Sequence, residues 1–409
     1  MPLDVLWVLL TILSSLAVVA NAVSLAQGLR FGDSVRKALR MAFGAYLPRA
    51  AVLVALRGID ENLDDNLRSI LSQRYPAYRI LAIADEPEEP AFLRLRELAL
   101  AHPRVPVDEV VADSAGLPGK ANALRTGLRH LSAEDEAVVF ADADIRPGRD
   151  WLRQLMQPLA DASVGVATGF RWYAPARPTF WSVVRSEWNA VSANAFFDPE
   201  LAFAWGGSAA VRTEHLPKLG LETRWQNVLS DDLILTEAVR AAGLRVAFVP
   251  SALSATLEGC DRPGCFEWCF RQMAIATLYR PALRRSAAGA FAVFNGAVIL
   301  GVACVVLAAI LSLAFFLPAA LFLVTLPATV AKAMVRRNAL LAAAPSVRAA
   351  YEVPAWKAGL ASLLVPWLMA WGLLRTRRPA FLQWKDRMYD VRDPWHVRLQ
   401  APEDLRGRR

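Results

Sequence analysis

One acidic triplet in the sequence has the residue types and the spacing for binding a metal ion. Asp142-Ala143-Asp144 directly follows the apolar run at 137–141. Residues two apart on an extended segment point the same way, so both carboxylates, or one directly and one through water, can meet one hard cation. Mg²⁺ or Mn²⁺ bound there would neutralise a diphosphate and help it depart as a leaving group. An acidic turn after a strand is the structural alternative, because acids are common in turns.

A second acidic pair, Asp231-Asp232, lies where a helix is expected to begin. Ser230 precedes the pair, and the residues that follow, LILTEAVRAAG, have apolar side chains at helical spacing. The helix dipole favours acids at this position in any protein, which gives the pair a structural explanation as well. Asp85 follows the apolar run YRILAIA, and Lys120 lies at the start of another helical stretch. Both also have a structural explanation, Asp85 as an acid in a turn and Lys120 as a solvated lysine.

The elements that must position these residues form an α/β pattern between residues 48 and 285. Short apolar runs alternate with helical periodicity, which predicts a sheet with crossover helices. The predicted strands cover 49–56, 78–84, 105–111 and 137–141. Asp60 is expected to cap the helix after the first strand. Asp85 and the acidic triplet then lie at the carboxyl ends of two parallel strands, where loops converge on a ligand-binding crevice.

Apolar residues make up 55% of the 409-residue chain, and the excess is concentrated at its two ends. A helix needs about 20 apolar residues to cross about 30 Å of hydrocarbon. Residues 5–25 predict one span, and 287–331 predict two helices joined near Pro318. The predicted parts are an N-terminal anchor (1–28), an α/β domain (45–285), two transmembrane helices (286–334), a third transmembrane or re-entrant segment (355–374) and a basic tail (375–409).

Charges beside the apolar segments predict the orientation of the chain. Basic residues between 30 and 40 follow the first segment, which places the α/β domain in the cytosol. A cleavable signal peptide is the alternative for that segment, since Ala20-Asn21-Ala22 resembles a cleavage site, but Asp4 stands where a basic region is expected. If 355–374 crosses, the basic tail lies outside, against the charge rule; if that segment is re-entrant, the tail stays inside.

The net charge of +8 is not the pattern of a nucleic-acid-binding protein. The basic residues are spread along the chain and cluster beside the apolar segments, which fits attraction to anionic lipid head groups. We therefore expect a lipid bilayer as a partner and no nucleic acid. The four cysteines form no Cys-x-x-Cys pair and have no histidine nearby, so reduced thiols are favoured over a metal site.

Five motifs in a fixed order make the chain similar to a known group of enzymes. They are RGIDENLDDNLRSILSQRYPAYRILAIADE, GKANALRTGL, FADADIRP, WGGSAAVRTEHL and LSDDLILTEAVRAAG. The region from about 52 to 280, more than half of the chain, resembles the GT-A fold of family 2 glycosyltransferases, and within it the ceramide glucosyltransferase-like branch of membrane enzymes. The resemblance implies a Rossmann-like α/β domain that binds a nucleotide sugar, with flanking transmembrane helices.

The resemblance also implies roles on the donor side of the site. Asp142 and Asp144 would hold Mg²⁺ or Mn²⁺, with Asp142 also contacting the donor. Asp85 is the acid expected near the base of the donor, and Lys120 is a basic residue that would meet its phosphates.

On the acceptor side, the resemblance makes Asp232 the candidate general base, with Asp231 supporting it. A single displacement would invert the anomeric configuration through an oxocarbenium-like state. Gly206 and Gly207 would border the acceptor, and a simple turn is their alternative. Trp188 belongs to an aromatic-rich stretch at 180–197 that lies either at the bilayer surface near a lipid acceptor or in the core.

One motif of the family is incomplete in this chain. The amphipathic segment FEWCFRQMAIATLYR resembles the site of the family's Gln/Arg-x-x-Arg-Trp motif. Arg271 and Gln272 are present and are donor-binding candidates, whereas Ala274 and Ile275 stand where Arg and Trp are expected. The departure removes a cation and an aromatic platform that would contact the diphosphate and the acceptor.

The resemblance and the apolar segments together predict transfer of one sugar from a nucleotide-diphosphate sugar, with UDP as the expected nucleotide, to a hydroxyl of a membrane lipid such as ceramide or a hopanoid. The expected location is a bacterial inner membrane. The alternatives are a processive polysaccharide synthase, which the modest number of apolar segments disfavours, and a catalytically silent glycosyltransferase-like scaffold, which the missing Arg-Trp pair motivates.

Overall fold

A seven-stranded mixed sheet forms the centre of the α/β domain. The structure, a computed structural model, describes residues 2–41, 44–117, 119–344, 348, 351–377 and 379–400. The strands in chain order are β1 (Ala50–Ala55), β2 (Tyr78–Ala84), β3 (Val107–Val111), β4 (Ala137–Asp142), β5 (Val164–Thr168), β6 (Arg171–Tyr173), β7 (Ser208–Arg212), β8 (Arg245–Phe248), β9 (Ser254–Thr256), β10 (Phe381–Trp384), β11 (Arg387–Asp390) and β12 (Arg398–Leu399). The seven-stranded sheet has the order β3-β2-β1-β4-β7-β5-β8. The first four are parallel, as predicted, while β7 runs antiparallel to its neighbours β4 and β5.

Helices cover both faces of this sheet and form the apolar ends of the chain. They are α1 (Leu3–Leu39), α2 (Leu63–Leu71), α3 (Pro90–Ala99), α4 (Lys120–Leu128), α5 (Trp151–Met156), α6 (Phe180–Ser192), α7 (Leu216–Leu219), α8 (Leu221–Arg224), α9 (Asp231–Ala241), α10 (Arg262–Tyr279), α11 (Pro281–Ile310), α12 (Phe316–Leu323), α13 (Thr325–Ala343) and α14 (Ala355–Arg375). The predicted α/β fold class with flanking apolar helices is confirmed.

Strand β1 shows why the sheet is rigid at its centre. Alternate side chains of a strand point to opposite faces. Val52 packs in one apolar core with Leu67 of α2, whereas Leu53 packs in a second core with Leu124 of α4. Each such fully buried aliphatic side chain contributes about 1.5–3 kcal/mol relative to leaving it exposed. Continuous apolar strands of this kind are typical of sheets that helices cover on both faces.

The helix after β1 begins differently from the prediction. Asn62, in the left-handed region at φ 67°, is the residue that precedes α2, and Asp64 and Asp65 lie in its first turn. The expectation that Asp60 caps this helix is wrong. Its carboxylate instead accepts hydrogen bonds from Lys385, far away in the sequence.

Within the described residues, four apolar helical segments are long enough to cross a membrane. They are Leu3–Leu39, Pro281–Ile310, Leu313–Ala343 and Ala355–Arg375. The predicted junction at Pro318 is wrong, because the chain breaks after Ile310 and Ser312 begins the next helical segment with its side chain accepting from the Ala314 backbone N–H. Pro318 lies in the first turn of α12, where its missing N–H leaves no hydrogen bond unmade.

A third apolar core joins the α/β domain to the apolar helices. It contains Val184 of α6, Trp268 of α10, Leu340 of α13, Val365 of α14 and Phe31 near the end of α1. The two parts of the chain therefore pack through shared buried side chains. The sheet and the apolar helices form one continuous structure.

The segment after α14, predicted only as a basic tail, folds back onto the sheet. Strands β10 and β11 form an antiparallel hairpin, and β12 pairs with β11. Leu382, Tyr389 and Val391 are buried in the core that also contains Leu124. Residues 401–409 of the predicted tail lie outside the described residues.

Candidate active site

A cavity of about 740 Å³ opens at the carboxyl ends of β1, β2 and β4. The predicted site residues that line it are Asp85, Lys120, Asp142, Asp144, Trp188, Asp231, Asp232, Arg271 and Gln272. The expected crevice at the strand ends is thus present, and it collects residues from β2, α4, β4, α6, α9 and α10. Apolar side chains form the rest of the wall and include Leu283, at the start of α11.

Lys120 is the central cation of the cavity. It is the first residue of α4, and its Nζ lies 2.7 Å from Asp142 Oδ1 and 3.0 Å from Asp231 Oδ2. Burial alone would lower the pKa of this lysine, but the charges of Asp142 and Asp231 outweigh burial and raise it. Lys120 is therefore firmly protonated and binds the two acidic motifs to each other.

The two carboxylates of the acidic triplet differ in their surroundings. Arg171 Nη1 lies 2.5 Å from Asp144 Oδ2 and 3.9 Å from Asp142 Oδ2. Burial opposes ionisation of both acids. For Asp142 the charges of Lys120 and Arg171 outweigh burial and lower its pKa, whereas for Asp144 burial and the charge of Asp142 prevail and raise its pKa. Asp142 is thus a stable anion, whereas the ionised form of Asp144 would be stabilised by a further cation.

The triplet fits a divalent metal ion, although its two acids do not form a complete ligand set. The buried Oδ1 of Asp144 has no hydrogen-bond partner among the described residues. The described part of the chain contains no group of three or more His, Cys, Asp or Glu side chains arranged for a metal. Mg²⁺ is commonly held by one or two carboxylates, with water and substrate phosphates completing the shell. Two carboxylates with one unpartnered oxygen are consistent with that chemistry.

Asp231 and Asp232 lie at the start of α9 but point to different partners. Ser230 precedes the helix and accepts a hydrogen bond from the Leu233 backbone N–H, 3.2 Å away. Asp232 Oδ1 accepts from Ser230 Oγ at 2.5 Å and from the same N–H at 2.8 Å. Burial raises the pKa of Asp231 to about 6, against the opposing charge of Lys120. Asp231 is thus held by Lys120, and Asp232 lies beside it at the cavity wall.

Gly206 and Gly207 are needed for the close approach of the acidic side chains. A Cβ atom at Gly206 would lie 1.9 Å from Asp231 Oδ2, and one at Gly207 would lie 2.4 Å from Asp142 Oδ2. Any larger residue would displace the carboxylates. Their contact with an acceptor stays a prediction; their position shows that they make room for the acids that line the cavity.

Asp85 lies at the end of β2 between two arginines. Its Oδ2 is 2.6 Å from Arg387 Nη1 and 3.3 Å from Arg57 Nη1. Arg387 belongs to β11, so the C-terminal hairpin reaches the carboxyl end of the sheet. Two cations hold this acid in one orientation.

The α10 candidates, Arg271 and Gln272, also line the cavity. The Arg271 guanidinium carbon is 5.6 Å from the centre of the Trp384 ring, and burial lowers the pKa of Arg271. Trp188 of α6 is nearly buried and packs edge-on against Trp268, with ring centres 4.9 Å apart. Trp188 therefore packs in the core, as one of the two alternatives predicts, and also lines the cavity; its contact with a lipid acceptor stays a prediction.

The sequence interpretation missed several residues of the cavity wall. They are Arg57, Asp60, Arg171, Trp384, Lys385, Arg387 and Tyr389. The hairpin could have been predicted from the sequence, since FLQWKDRMYD has the pattern of two short strands around a two-residue turn. Arg171 had no such pattern, because β6 is three residues long and pairs only with β9, far along the chain.

The chain is similar to a known protein family and to solved structures. The model of the family "Glycosyl transferase family 21" matches residues 9–394. The mannosyltransferase PcManGT from Pyrobaculum calidifontis, solved with GDP-Man and Mn²⁺, is 21% identical with a TM-score of 0.46, over 89% of this chain and 97% of that chain. Glucosyl-3-phosphoglycerate synthase from Mycobacterium tuberculosis, solved with phosphoglyceric acid, is 16% identical with a TM-score of 0.37, over 57% of this chain and 80% of that chain.

The family match bears directly on the sequence-based assignment. The motifs resembled family 2 glycosyltransferases, and the family whose model matches is family 21. The match extends from the first apolar helix, through the acidic motifs, to the C-terminal hairpin. The chain belongs to glycosyl transferase family 21 and is a glycosyltransferase.

Proposed function

We propose that this enzyme moves a single sugar from a nucleotide-diphosphate sugar, with UDP as the nucleotide, to a hydroxyl of a membrane lipid such as ceramide or a hopanoid. One observation carries the proposal, namely a single cavity whose lining contains both charged and apolar side chains. The charged part includes the carboxylates and Lys120 at the strand ends of the sheet, and the apolar part includes Leu283 at the start of an apolar helix. A charged donor and a lipid acceptor can meet in such a cavity.

The charged part of the cavity lining suits a nucleotide diphosphate. Lys120 is protonated and begins α4, where backbone N–H groups also favour a phosphate. Asp85, fixed by Arg57 and Arg387, is positioned to accept hydrogen bonds from the N–H groups of a base. We assign the phosphates to the Lys120 side and the base to the Asp85 side. Arg271 and Gln272, which line the same cavity, are assigned to the same donor.

Asp142 and Asp144 are the residues that would hold Mg²⁺ or Mn²⁺. The unpartnered Oδ1 of Asp144 and the ionised carboxylate of Asp142 supply the hard oxygen ligands that such ions prefer. When bound, the ion would offset negative charge on the departing diphosphate. Lys120 and Arg171 keep both carboxylates in place by direct ion pairs.

Asp232 is the proposed general base. Its Oδ1 is held by Ser230 and by the helix backbone, which orients the carboxylate at the cavity wall. The acceptor hydroxyl oxygen bonds to the anomeric carbon while its proton passes to Asp232, and the bond from that carbon to the diphosphate oxygen breaks with its electron pair leaving on the diphosphate. Because attack comes from the face opposite the leaving group, the anomeric configuration inverts. Asp231, paired with Lys120, positions the start of α9 for this step.

The apolar part of the lining suits the lipid. It includes Trp188, Leu201, Phe203, Ile275 and Leu283, and a hydrocarbon chain can contact these side chains. Four apolar helical segments fit an integral membrane protein. We place the α/β domain on the cytosolic face of a bacterial inner membrane, on the basis of the basic residues that follow the first apolar segment.

Turnover by the purified full-length protein tests the proposal. With Mg²⁺ or Mn²⁺ and a panel of UDP-sugars, we expect release of UDP from at least one sugar donor. Asp232→Asn is expected to lower the rate at least about a hundredfold, because a positioned base contributes that much, with UDP affinity largely kept. Asp150→Asn, at the start of α5 and outside the cavity, is the matched control.

Two results would contradict this proposal in different ways. Full turnover by Asp232→Asn would remove that residue from the role of base. Tight binding of UDP without turnover of any nucleotide sugar would mean that the chain is the catalytically silent scaffold.

A further inference from the structure

The C-terminal hairpin of β10 and β11 forms one wall of the cavity. Trp384, Lys385 and Arg387 all line it, and Trp384 and Arg387 face each other as the last paired residues before the turn. No motif of the resemblance assigns these residues a role. The chain has left the α/β domain, passed through the apolar helices and returned before it reaches this point, so the site is complete only when the C-terminal segment is in place.

Ion pairs hold the hairpin against the strand ends of the sheet. Arg57 donates to the Asp386 carboxylate through Nε at 3.1 Å and Nη2 at 2.6 Å. Lys385 Nζ lies 3.0 Å from Asp60 Oδ2 and donates to the Arg57 carbonyl oxygen at 3.0 Å. Arg387 donates to Asp85. The hairpin is thus attached on the side where the donor base is expected.

The hairpin also lies next to the residue that precedes Lys120. Tyr389 is buried, and a Cβ atom at Gly119 would lie 3.2 Å from its hydroxyl oxygen. Gly119 has a φ of 142°, a conformation that side chains rarely adopt. The hairpin and the start of α4 are therefore packed together, and both face the cavity.

Lys385 stands at a turn position that a lysine seldom occupies. Its φ of 53° is in the left-handed region, where Gly, Asn or Asp is common in a two-residue hairpin turn. The lysine at this position places an ammonium group at the rim of the cavity. An outlier of this kind at a cavity wall motivates a functional hypothesis.

Lys385 is also less firmly held than Lys120 and Arg171, two cations that contact the acidic triplet directly. Lys120 is shared by two carboxylates, and Arg171 is bound to Asp144. The side chain of Lys385 is 44% exposed, against 19% for Lys120, and among the described residues its carboxylate partner is Asp60. A partly solvated ammonium group can exchange its carboxylate partner for a phosphate more readily than a buried ammonium group with two carboxylate partners. The free-energy cost of breaking the ion pair and desolvating the group is smaller for the partly solvated one.

Trp384 brings an aromatic side chain of the hairpin next to α10. Ala274, at the position where the family motif has Arg, is fully buried in the core, so a guanidinium there would be buried without water. Ile275 lines the cavity as a small apolar surface. Trp384 lies against Arg271 of the same helix and gives α10 an aromatic neighbour from another part of the chain.

We propose that this hairpin is part of the donor site, in which Lys385 binds the diphosphate of the nucleotide and Arg387 positions Asp85 for the base. Lys385 and Trp384 supply the cation and the aromatic surface that α10 lacks. The inference rests on the proposed function, since it names further contacts of the same donor.

Nucleotide binding to the full-length protein in detergent micelles tests the role of Lys385. UDP and uridine are titrated with Mn²⁺ present, with GDP and guanosine in parallel. Lys385→Met is expected to weaken the diphosphate at least about tenfold, the usual effect of losing a charged hydrogen bond, and to leave the nucleoside affinity within about twofold. Lys385→Arg keeps the positive charge and is expected to retain most of the diphosphate affinity.

Three further variants separate binding from structure. Arg398→Met, in β12 and outside the cavity, is the matched control and is expected to bind as the wild type does. Asp60→Asn removes the ion pair that anchors Lys385 but keeps the ammonium, and it is expected to keep the diphosphate affinity. Arg387→Met is expected to weaken nucleotide and nucleoside equally, as a positioning residue for the base, with partial rescue by Arg387→Lys.

The inference is wrong if Lys385→Met binds the diphosphate as tightly as the wild type, or loses nucleoside affinity to the same extent. It is also wrong if Asp60→Asn weakens the diphosphate as much as Lys385→Met does, because Lys385 would then act only by anchoring the hairpin. Failure of the wild type to bind either nucleotide would instead overturn the proposed function.

Discussion

At the level of single residues, the cavity is built from opposite charges in contact. Lys120 joins Asp142 to Asp231, and Arg171 joins Asp144 to the same network. An unpaired buried carboxylate is costly, and removing one partner of a buried pair typically costs about 3–5 kcal/mol. The acidic motifs are therefore tolerated only as a set, and Gly206 and Gly207 leave the space in which that set forms.

Substitution of one acid of the triplet tests the proposed metal site. Asp144→Ala removes the carboxylate whose Oδ1 is unpartnered, so the Mn²⁺ concentration needed for UDP binding is expected to rise about tenfold or more. Mn²⁺ titrations followed by calorimetry or by electron paramagnetic resonance measure this. Asp161→Ala, an exposed acid paired with Arg245 outside the cavity, is the control. An unchanged Mn²⁺ dependence would mean that the triplet is only a turn.

Residues of the site could be predicted where chemistry and local pattern coincide. Asp85 and Asp142 lie at the ends of apolar strands, and Lys120 and Asp231 lie at the beginnings of helices. The spacing of apolar residues and the rules for helix ends therefore point to them directly. Arg171 carries no such mark, and the capping rule that points to Asp60 assigns it the wrong role. Their roles depend on contacts with residues that are distant in the sequence, and no local rule encodes those contacts.

Among the elements, α14 decides the topology of the chain. The hairpin after α14 packs on the sheet, whereas the chain before α14 leaves through α11 and returns through α12 and α13. If α11 crosses in one direction and α12 with α13 crosses back, both ends of α14 lie on the side of the α/β domain. We infer that α14 is an interfacial or re-entrant helix. Its buried side chains Ala358, Ala361 and Val365 share a core with α6 and α10, which supports this placement.

Labelling of single cysteines tests the placement of α14. In a Cys260→Ser background, Trp356→Cys and Leu374→Cys mark the two ends of the helix, and Leu313→Cys marks the turn after α11; all three positions are exposed. An impermeant maleimide added outside intact cells is expected to label only Leu313→Cys. Labelling of Trp356→Cys from outside would show that α14 crosses the membrane.

Helices and strands were predicted well where the periodic spacing of apolar residues is strong, and less well where one element is joined to the next. The buried strands β1, β2 and β4 were predicted nearly to the residue, since continuous apolar runs are unambiguous within an α/β pattern. The break at Ser312 was misplaced to Pro318, because proline is tolerated in the first turn of a helix. The hairpin was predicted only as part of the basic tail, although its two four-residue strands and two-residue turn can be recognised in the sequence.

On the scale of the whole molecule, the cavity lies between the sheet and the apolar helices. Side chains of α1, α6, α10, α13 and α14 form one core beside it, so the apolar helices are packed directly against the α/β domain. This arrangement explains why the sequence could indicate the donor side, which local motifs encode, more fully than the acceptor side, which depends on packing between distant segments.

The most direct test of sugar transfer to a membrane lipid is a measurement of where the sugar goes. Full-length protein in lipid nanodiscs that contain ceramide or a hopanoid is incubated with Mn²⁺ and UDP-sugars labelled in the sugar. The label is then followed into the organic phase and identified by mass spectrometry. We predict that a glycolipid of one added sugar forms with the wild type and is lost with Asp232→Asn. Label that stays in the aqueous phase, or accumulates as a polymer, would contradict the account.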